Sequence, residues 1–108
     1  MEYICNVTFA VEPGEREMLL EWLRNTALPI LFNDSSPARN AALRELVEIG
    51  GNRPPADHAA TVALLASFSN MDEAHGWQEN QLMEAGGSFQ TEFPQGIFFV
   101  TLLEDLPL

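Results

Sequence analysis

The C-terminal segment 97–103 constrains the fold more than any other part of this sequence. Its residues are IFFVTLL, with a Pro-Gln-Gly turn before it and acidic residues and a proline after it. Such a short β-branched and aromatic run predicts a β-strand, in which alternate side chains point to opposite faces. Both faces are apolar: one holds Ile97, Phe99 and Leu103, and the other holds Phe98, Val100 and Leu102. Because one layer of helices covers only one face of a sheet, we expect a second copy of the chain to cover the other.

The length and composition indicate one globular domain spanning residues 1–108. The chain is 46% hydrophobic, which excludes a disordered tail, and no apolar run approaches the roughly 20 residues that a membrane span needs. The N-terminal segment lacks the basic start and cleavage site of a secretory signal. The single cysteine, Cys5, is typical of a reducing compartment. We therefore expect a cytoplasmic protein.

The charge balance argues against two classes of partner. Sixteen acidic residues stand against five basic residues, all arginine, so the formal net charge is −11. This charge repels phosphate backbones and anionic lipid headgroups. We expect binding to neither nucleic acid nor a membrane surface.

The N-terminal segment also predicts a strand, the first in chain order. Residues 2–11 alternate, with an apolar face of Tyr3, Cys5, Val7, Phe9 and Val11 and a mixed face of Ile4, Asn6, Thr8 and Ala10. A helix is predicted from Glu15, and Pro29 should end or kink it near Leu28, with a brief resumption or none after it.

The middle of the chain leaves one segment open. Residues 38–49 alternate like a strand, yet their alanine-rich composition also favours a helix. Residues 50–57 predict a hairpin loop, residues 59–68 a strand, and Asn70 with Glu73 a capping box at the start of a second helix. With segment 38–49 as a strand, the order is βαββαβ. It predicts an α+β, ferredoxin-like fold: a four-stranded antiparallel sheet with two helices on one face.

Three short motifs resemble a family of small bacterial proteins of unknown function. They are Asn6-Val7-Thr8 in the first strand, Trp22-Leu23 with Pro29 in the first helix, and Thr101-Leu102-Leu103-Glu104 at the end. The broader relatives of that family are the dimeric α+β barrels, the superfamily of the antibiotic-biosynthesis monooxygenases. Leu28 departs from the family pattern, which has a polar residue there, and so does Phe93-Pro94, where Phe-Gly is expected.

The resemblance implies a homodimer in which two sheets meet face to face, room for a small apolar ligand, and no cofactor. Asn6 resembles a strand asparagine that some cofactor-free members use on quinols or phenols, and His75 and Trp77 resemble its neighbours. We take these three residues as catalytic candidates. The candidate ligand-binding residues are Ile4, Asn6, Thr8 and Trp77. The alternative for Asn6 is a strand side chain bonded to a neighbouring backbone group or to water.

Helix geometry raises two further points. Asp72, His75 and Glu79 fall on neighbouring ridges, but acidic residues near a helix start have a sufficient dipole explanation, so we expect a solvated face and no metal site. Trp22 and Trp77 are predicted at the flanks of their helices, as interface anchors, at the mouth of a pocket or at the wet edge of the core.

Three functional classes remain. We expect a non-catalytic dimer that acts in protein interaction or in binding a small apolar ligand. The alternative is a cofactor-free monooxygenase acting on a small aromatic or quinol substrate.

Overall fold

The computed structural model describes residues 2–48, 50–51 and 60–108. Within these residues the chain forms a four-stranded sheet and two helical arms. The strands are β1 (Tyr3–Ala10), β2 (Arg39–Glu45), β3 (Thr61–Phe68) and β4 (Ile97–Glu104). The first arm comprises α1 (Arg16–Trp22), a π-helical turn (Leu23–Ala27) and α2 (Leu28–Leu31), and the second comprises α3 (Met71–Glu79) and α4 (Gln81–Glu92). Most of the predicted hairpin loop 50–57 lies outside the described residues.

The sheet confirms the ferredoxin-like prediction. Its strand order is β2-β3-β1-β4, and all neighbouring strands are antiparallel. Segment 38–49, which the sequence left open, supplies β2 as the edge strand beside β3. Both helical arms pack on the same face, so the molecule is a slab with Cα dimensions of 39 × 36 × 17 Å.

The core lies between the sheet and the helices. Alternate residues of the two central strands are fully or almost fully buried there: Cys5, Val7 and Phe9 on β1, and Val62, Leu64, Ala66 and Phe68 on β3. Phe9 packs against Trp22, Phe89 and Phe98, with ring centroids 5.5, 5.0 and 5.8 Å away. Burial of this apolar area is the main stabilising contribution to the fold.

The first helical arm passes through Pro29 without ending. Proline has no amide hydrogen, and its ring presses on the carbonyl of the residue four positions earlier. The turn Leu23–Ala27 widens to a π-helix just before it, and the amide of Leu28 donates to the carbonyl of Leu23. The helix then continues to Leu31, so of the predicted alternatives the structure shows a local irregularity with a brief resumption and not an end.

The second helical arm starts as predicted but breaks in the middle. The amide of Glu73 donates to Oδ1 of the cap Asn70 at 2.8 Å, and the Glu73 carboxylate accepts from the amide of Ser69 at 3.0 Å. The single predicted helix is divided at Asn80, whose side chain donates to the Gly76 carbonyl at 2.8 Å.

The break changes which side chains face the sheet. Trp77 and Leu82 are both buried although they are five residues apart. In a continuous helix, five residues would rotate the direction of the side chain by roughly 140°, so the two side chains would not share a face. The interruption restores the alignment of the apolar stripe, so Ala85 and Phe89 also face the core.

The prediction that both tryptophans lie at helix flanks was wrong. Trp22 is 6% exposed and Trp77 is fully buried. Each indole N–H is hydrogen-bonded, to Oγ of Ser88 at 3.0 Å and to the carbonyl of Leu31 at 2.8 Å respectively. A satisfied N–H removes the main cost of burying a tryptophan.

An ion pair joins the first helical arm to the edge strand. Arg16 on α1 donates two hydrogen bonds to the carboxylate of Glu45 on β2, at 2.8 and 2.9 Å. These bonds favour the charged form and lower the pKa of Glu45. The contact attaches β2, one of the two edge strands of the sheet, to the helical layer.

Candidate functional site

One face of the sheet is turned away from both helical arms, and we call it the open face. Because Cys5, Val7 and Phe9 point to the helices, their neighbours along β1 and the residues paired with those neighbours point away. The apolar members are Ile4, Ala10, Ala42, Ala63, Leu65, Ile97, Phe99 and Leu103. On β4 the side chains of Ile97, Phe99 and Leu103 are 62, 55 and 47% exposed. The prediction of two apolar faces on the last strand is confirmed, and the uncovered face is the one that carries Phe99.

The open face has a distinctive charge. Cross-strand partners share a face, so Arg39 and Arg44, which are paired with Ser67 and Ala63, belong to it. By the same alternation, Glu45 and Glu104 lie on the helix side. Among the paired strand residues, the open face therefore carries arginines and no carboxylate, although the chain has sixteen acidic residues.

Polar side chains occupy the centre of this apolar surface. Asn6 lies between its partners Leu65 and Thr101 in the middle of the sheet. The hydroxyl of Thr8 donates to Oδ1 of Asn6 at 3.0 Å. Asn6 is thus hydrogen-bonded to a neighbouring side chain rather than to the backbone group that the structural alternative named, and Ile4 and Thr8 lie beside it.

The structure does not bring the catalytic candidates together. Asn6 lies on the open face, whereas Trp77 is buried on the other side of the sheet with its N–H bonded to Leu31. His75 is exposed on α3. The four ligand-binding candidates are divided in the same way, with Ile4, Asn6 and Thr8 on the open face and Trp77 in the core. In the part of the chain that the structure describes, no three His, Cys, Asp or Glu side chains gather as metal ligands.

Cys5 belongs to the core. Its side chain is fully buried, and burial raises the pKa of the thiol, although an N–H of Gln78 donates to its Sγ at 3.4 Å. Because the thiolate is the reactive form, the raised pKa makes Cys5 a poor nucleophile.

A concave surface separate from the open face lies between α4 and the edge strand β4, on the helix side of the sheet. We call it the α4–β4 groove. Its volume is about 440 Å³. Its lining residues are Gln78, Leu82, Met83, Gly86, Gly87, Gln90, Phe98 and Val100.

Two consecutive glycines shape this groove. A Cβ atom at Gly86 would lie 2.8 Å from Cζ of Phe98, so a larger residue there would push that ring away from its position against α4. A Cβ atom at Gly87 would meet nothing within 4 Å. The sequence patterns did not predict this groove. The available signal was a glycine pair on the helix that precedes an apolar edge strand.

No protein-family model matches the chain, and no curated protein matches it. Several solved structures do. A putative antibiotic biosynthesis monooxygenase from Deinococcus radiodurans is 12% identical, with a TM-score of 0.67 over 98% of this chain and 94% of that one. The cofactor-independent oxygenase SnoaB from Streptomyces nogalater is 11% identical, with a TM-score of 0.62 over 99% and 95%. A dimeric ferredoxin-like protein from an uncultured marine organism is 9% identical, with a TM-score of 0.63 over 94% and 92%.

Identities this low establish a likeness of fold alone. Within the described residues, no helix has the length and hydropathy to span a membrane. The chain has the ferredoxin-like fold that is also found in antibiotic-biosynthesis monooxygenases, as the sequence resemblance implied.

Proposed function

We propose that this protein is a non-catalytic homodimer, an α+β barrel in which two sheets pack through their open faces. It acts in protein interaction or by binding a small apolar ligand. The observation that carries the proposal is the exposure of Ile97, Phe99 and Leu103 side by side on a regular sheet face. Contiguous apolar patches of this kind mark interaction surfaces in folded proteins.

The size of the open face is sufficient for a second copy. Strands of eight residues and a width of four strands give a flat face of about 27 by 19 Å, or roughly 500 Å² per copy. Two such faces bury roughly 1,000 Å², and side-chain relief adds to that area. A specific interface needs about 1,000 Å² or more.

Charge and polarity also favour a copy of the same chain. The paired strand residues of the open face include Arg39 and Arg44 but no carboxylate, so two copies that meet through this face avoid contact between the acidic surfaces that dominate the rest of the molecule. The hydrogen bond between Thr8 and Asn6 reduces the cost of covering the polar centre. A twofold arrangement places equivalent residues on both sides, as isologous interfaces require. A dimeric ferredoxin-like protein with this fold gives independent support.

Sedimentation velocity tests the proposal. The chain has a mass of 12.0 kDa, so the expected particle has twice that mass at micromolar concentration. A particle that stays monomeric up to about 100 μM would refute the proposal, because that dissociation constant is too weak for an interface of this size.

A cofactor-free monooxygenase is the second candidate, supported by the likeness of fold to an oxygenase. In that case the Asn6 amide would hydrogen-bond a substrate oxygen. Asn6→Ala should then abolish oxidation of a test quinol with little loss of thermal stability. If the variant only lowers the Tm, or if the wild type does not oxidise the quinol, Asn6 has the structural role given by its bond to Thr8.

A further inference from the structure

We propose that the α4–β4 groove is a separate binding site for a small, uncharged and mostly apolar molecule. The groove lies on the helix side of the sheet, opposite the open face, so this inference does not depend on dimerisation.

The shape of the groove fits a small molecule. Its volume of about 440 Å³ falls within the range of roughly 300–1,000 Å³ that ligand pockets occupy. The Phe98 ring lies against α4 at Gly86 and offers an aromatic surface. Val100 extends the apolar wall along β4. Gly87 leaves the space above it empty, because nothing lies within 4 Å of where its Cβ would be. Met83 is 70% exposed at the rim, and its flexible thioether side chain can adjust to the shape of an occupant.

The lining sets the chemistry of the occupant. No lining residue is charged, in a chain with a formal net charge of −11. An ionised ligand would lose its hydration without gaining a counter-charge, and an anion would also meet the negative potential of the whole molecule. The polar lining groups are the neutral amides of Gln78 and Gln90, which can hydrogen-bond one polar atom of an otherwise apolar molecule.

A neutral dye tests the site. N-phenylnaphthylamine is an uncharged aromatic amine whose fluorescence rises when it leaves water. We expect saturable binding of one dye per chain, and binding of the anionic analogue anilinonaphthalene sulfonate at least about tenfold weaker. A wild-type protein that does not bind the neutral dye saturably, or that prefers the anion, would overturn the proposal.

Glycine substitutions locate the dye. Gly87→Leu places an apolar side chain in the groove without backbone strain, and it should weaken dye binding at least about tenfold by filling the space. Gly76→Leu is the matched control: this glycine also lies in a helix with nothing within 4 Å of its Cβ position, but it does not line the groove. Val100→Glu, at a wall position 37% exposed, should repeat the loss by adding a charge if Gly87→Leu does not fold.

One control variant and one mass measurement separate the groove from the open face and from a second copy of the chain. Phe99→Glu changes the open face and should keep the dye site that Gly87→Leu removes. If Phe99→Glu removes the dye and Gly87→Leu does not, the dye binds the open face and the groove is not its site. If Gly87→Leu instead lowers the mass of the particle, another copy of the chain occupies the groove, and the proposal is wrong.

Discussion

The substitution Phe99→Glu tests the proposed dimer at the largest exposed apolar side chain of the open face. Phe99 is 55% exposed in the single chain. With about 200 Å² for a phenylalanine side chain, about 110 Å² remains to be buried, which at about 25 cal/mol per Å² contributes about 2.7 kcal/mol. A twofold interface contains this residue twice, so the loss is about 5 kcal/mol per dimer. The dissociation constant should therefore rise roughly a thousandfold to ten-thousandfold, and an unpaired buried carboxylate increases the loss further.

Sedimentation velocity and circular dichroism measure the two expected effects, dissociation and an intact fold. Phe99→Glu should be a folded monomer at about 10 μM. Met18→Glu is the matched control, because Met18 is 45% exposed on α1, away from the sheet, and this variant should stay dimeric. Phe98→Glu should unfold the chain instead, since Phe98 packs against Phe9 and Phe89 with centroids 5.8 and 5.7 Å away. A Phe99→Glu protein that remains a dimer would show that the open face is not the interface.

Two further predictions concern charge. Because each copy carries a formal charge of −11, added salt should screen the repulsion between copies and lower the dissociation constant of the dimer, measured by sedimentation in low and high NaCl. A higher dissociation constant in salt would instead indicate ion pairs across the interface. Glu45→Gln should lower the Tm near pH 7, where the wild-type carboxylate is bonded to Arg16. Because the pKa of Glu45 is lowered in the folded state, its stabilisation is present above the unfolded value of about 4.3 and is lost as the pH falls through the folded pKa. The Tm difference between the wild type and Glu45→Gln should therefore disappear in acid. Glu48→Gln is the control at an exposed residue, and its Tm should equal that of the wild type at both pH values.

Much of the fold followed from local patterns. The alternation in β1 and β4 identified both strands and both of their faces, because the two-residue period of a strand is independent of its surroundings. Asn70 and Glu73 marked a helix start, since a cap acts through backbone amides within one turn. That the first helical arm is disturbed near Leu28 followed from the missing amide of Pro29.

Contacts distant in sequence decided the remainder. Segment 38–49 had the propensity of a helix and the alternation of a strand, and its pairing with β3 made it β2. The break at Asn80 turned Trp77 into the core, and the sequence could not reveal it because the apolar stripes before and after the break each fit a helix alone. Likewise, the sequence showed that β4 is apolar on both faces and included the glycine pair of α4. Only the packing of helices on one side determined that Phe99 is left uncovered, and only the approach of α4 to β4 formed a groove, because both depend on how separate elements meet.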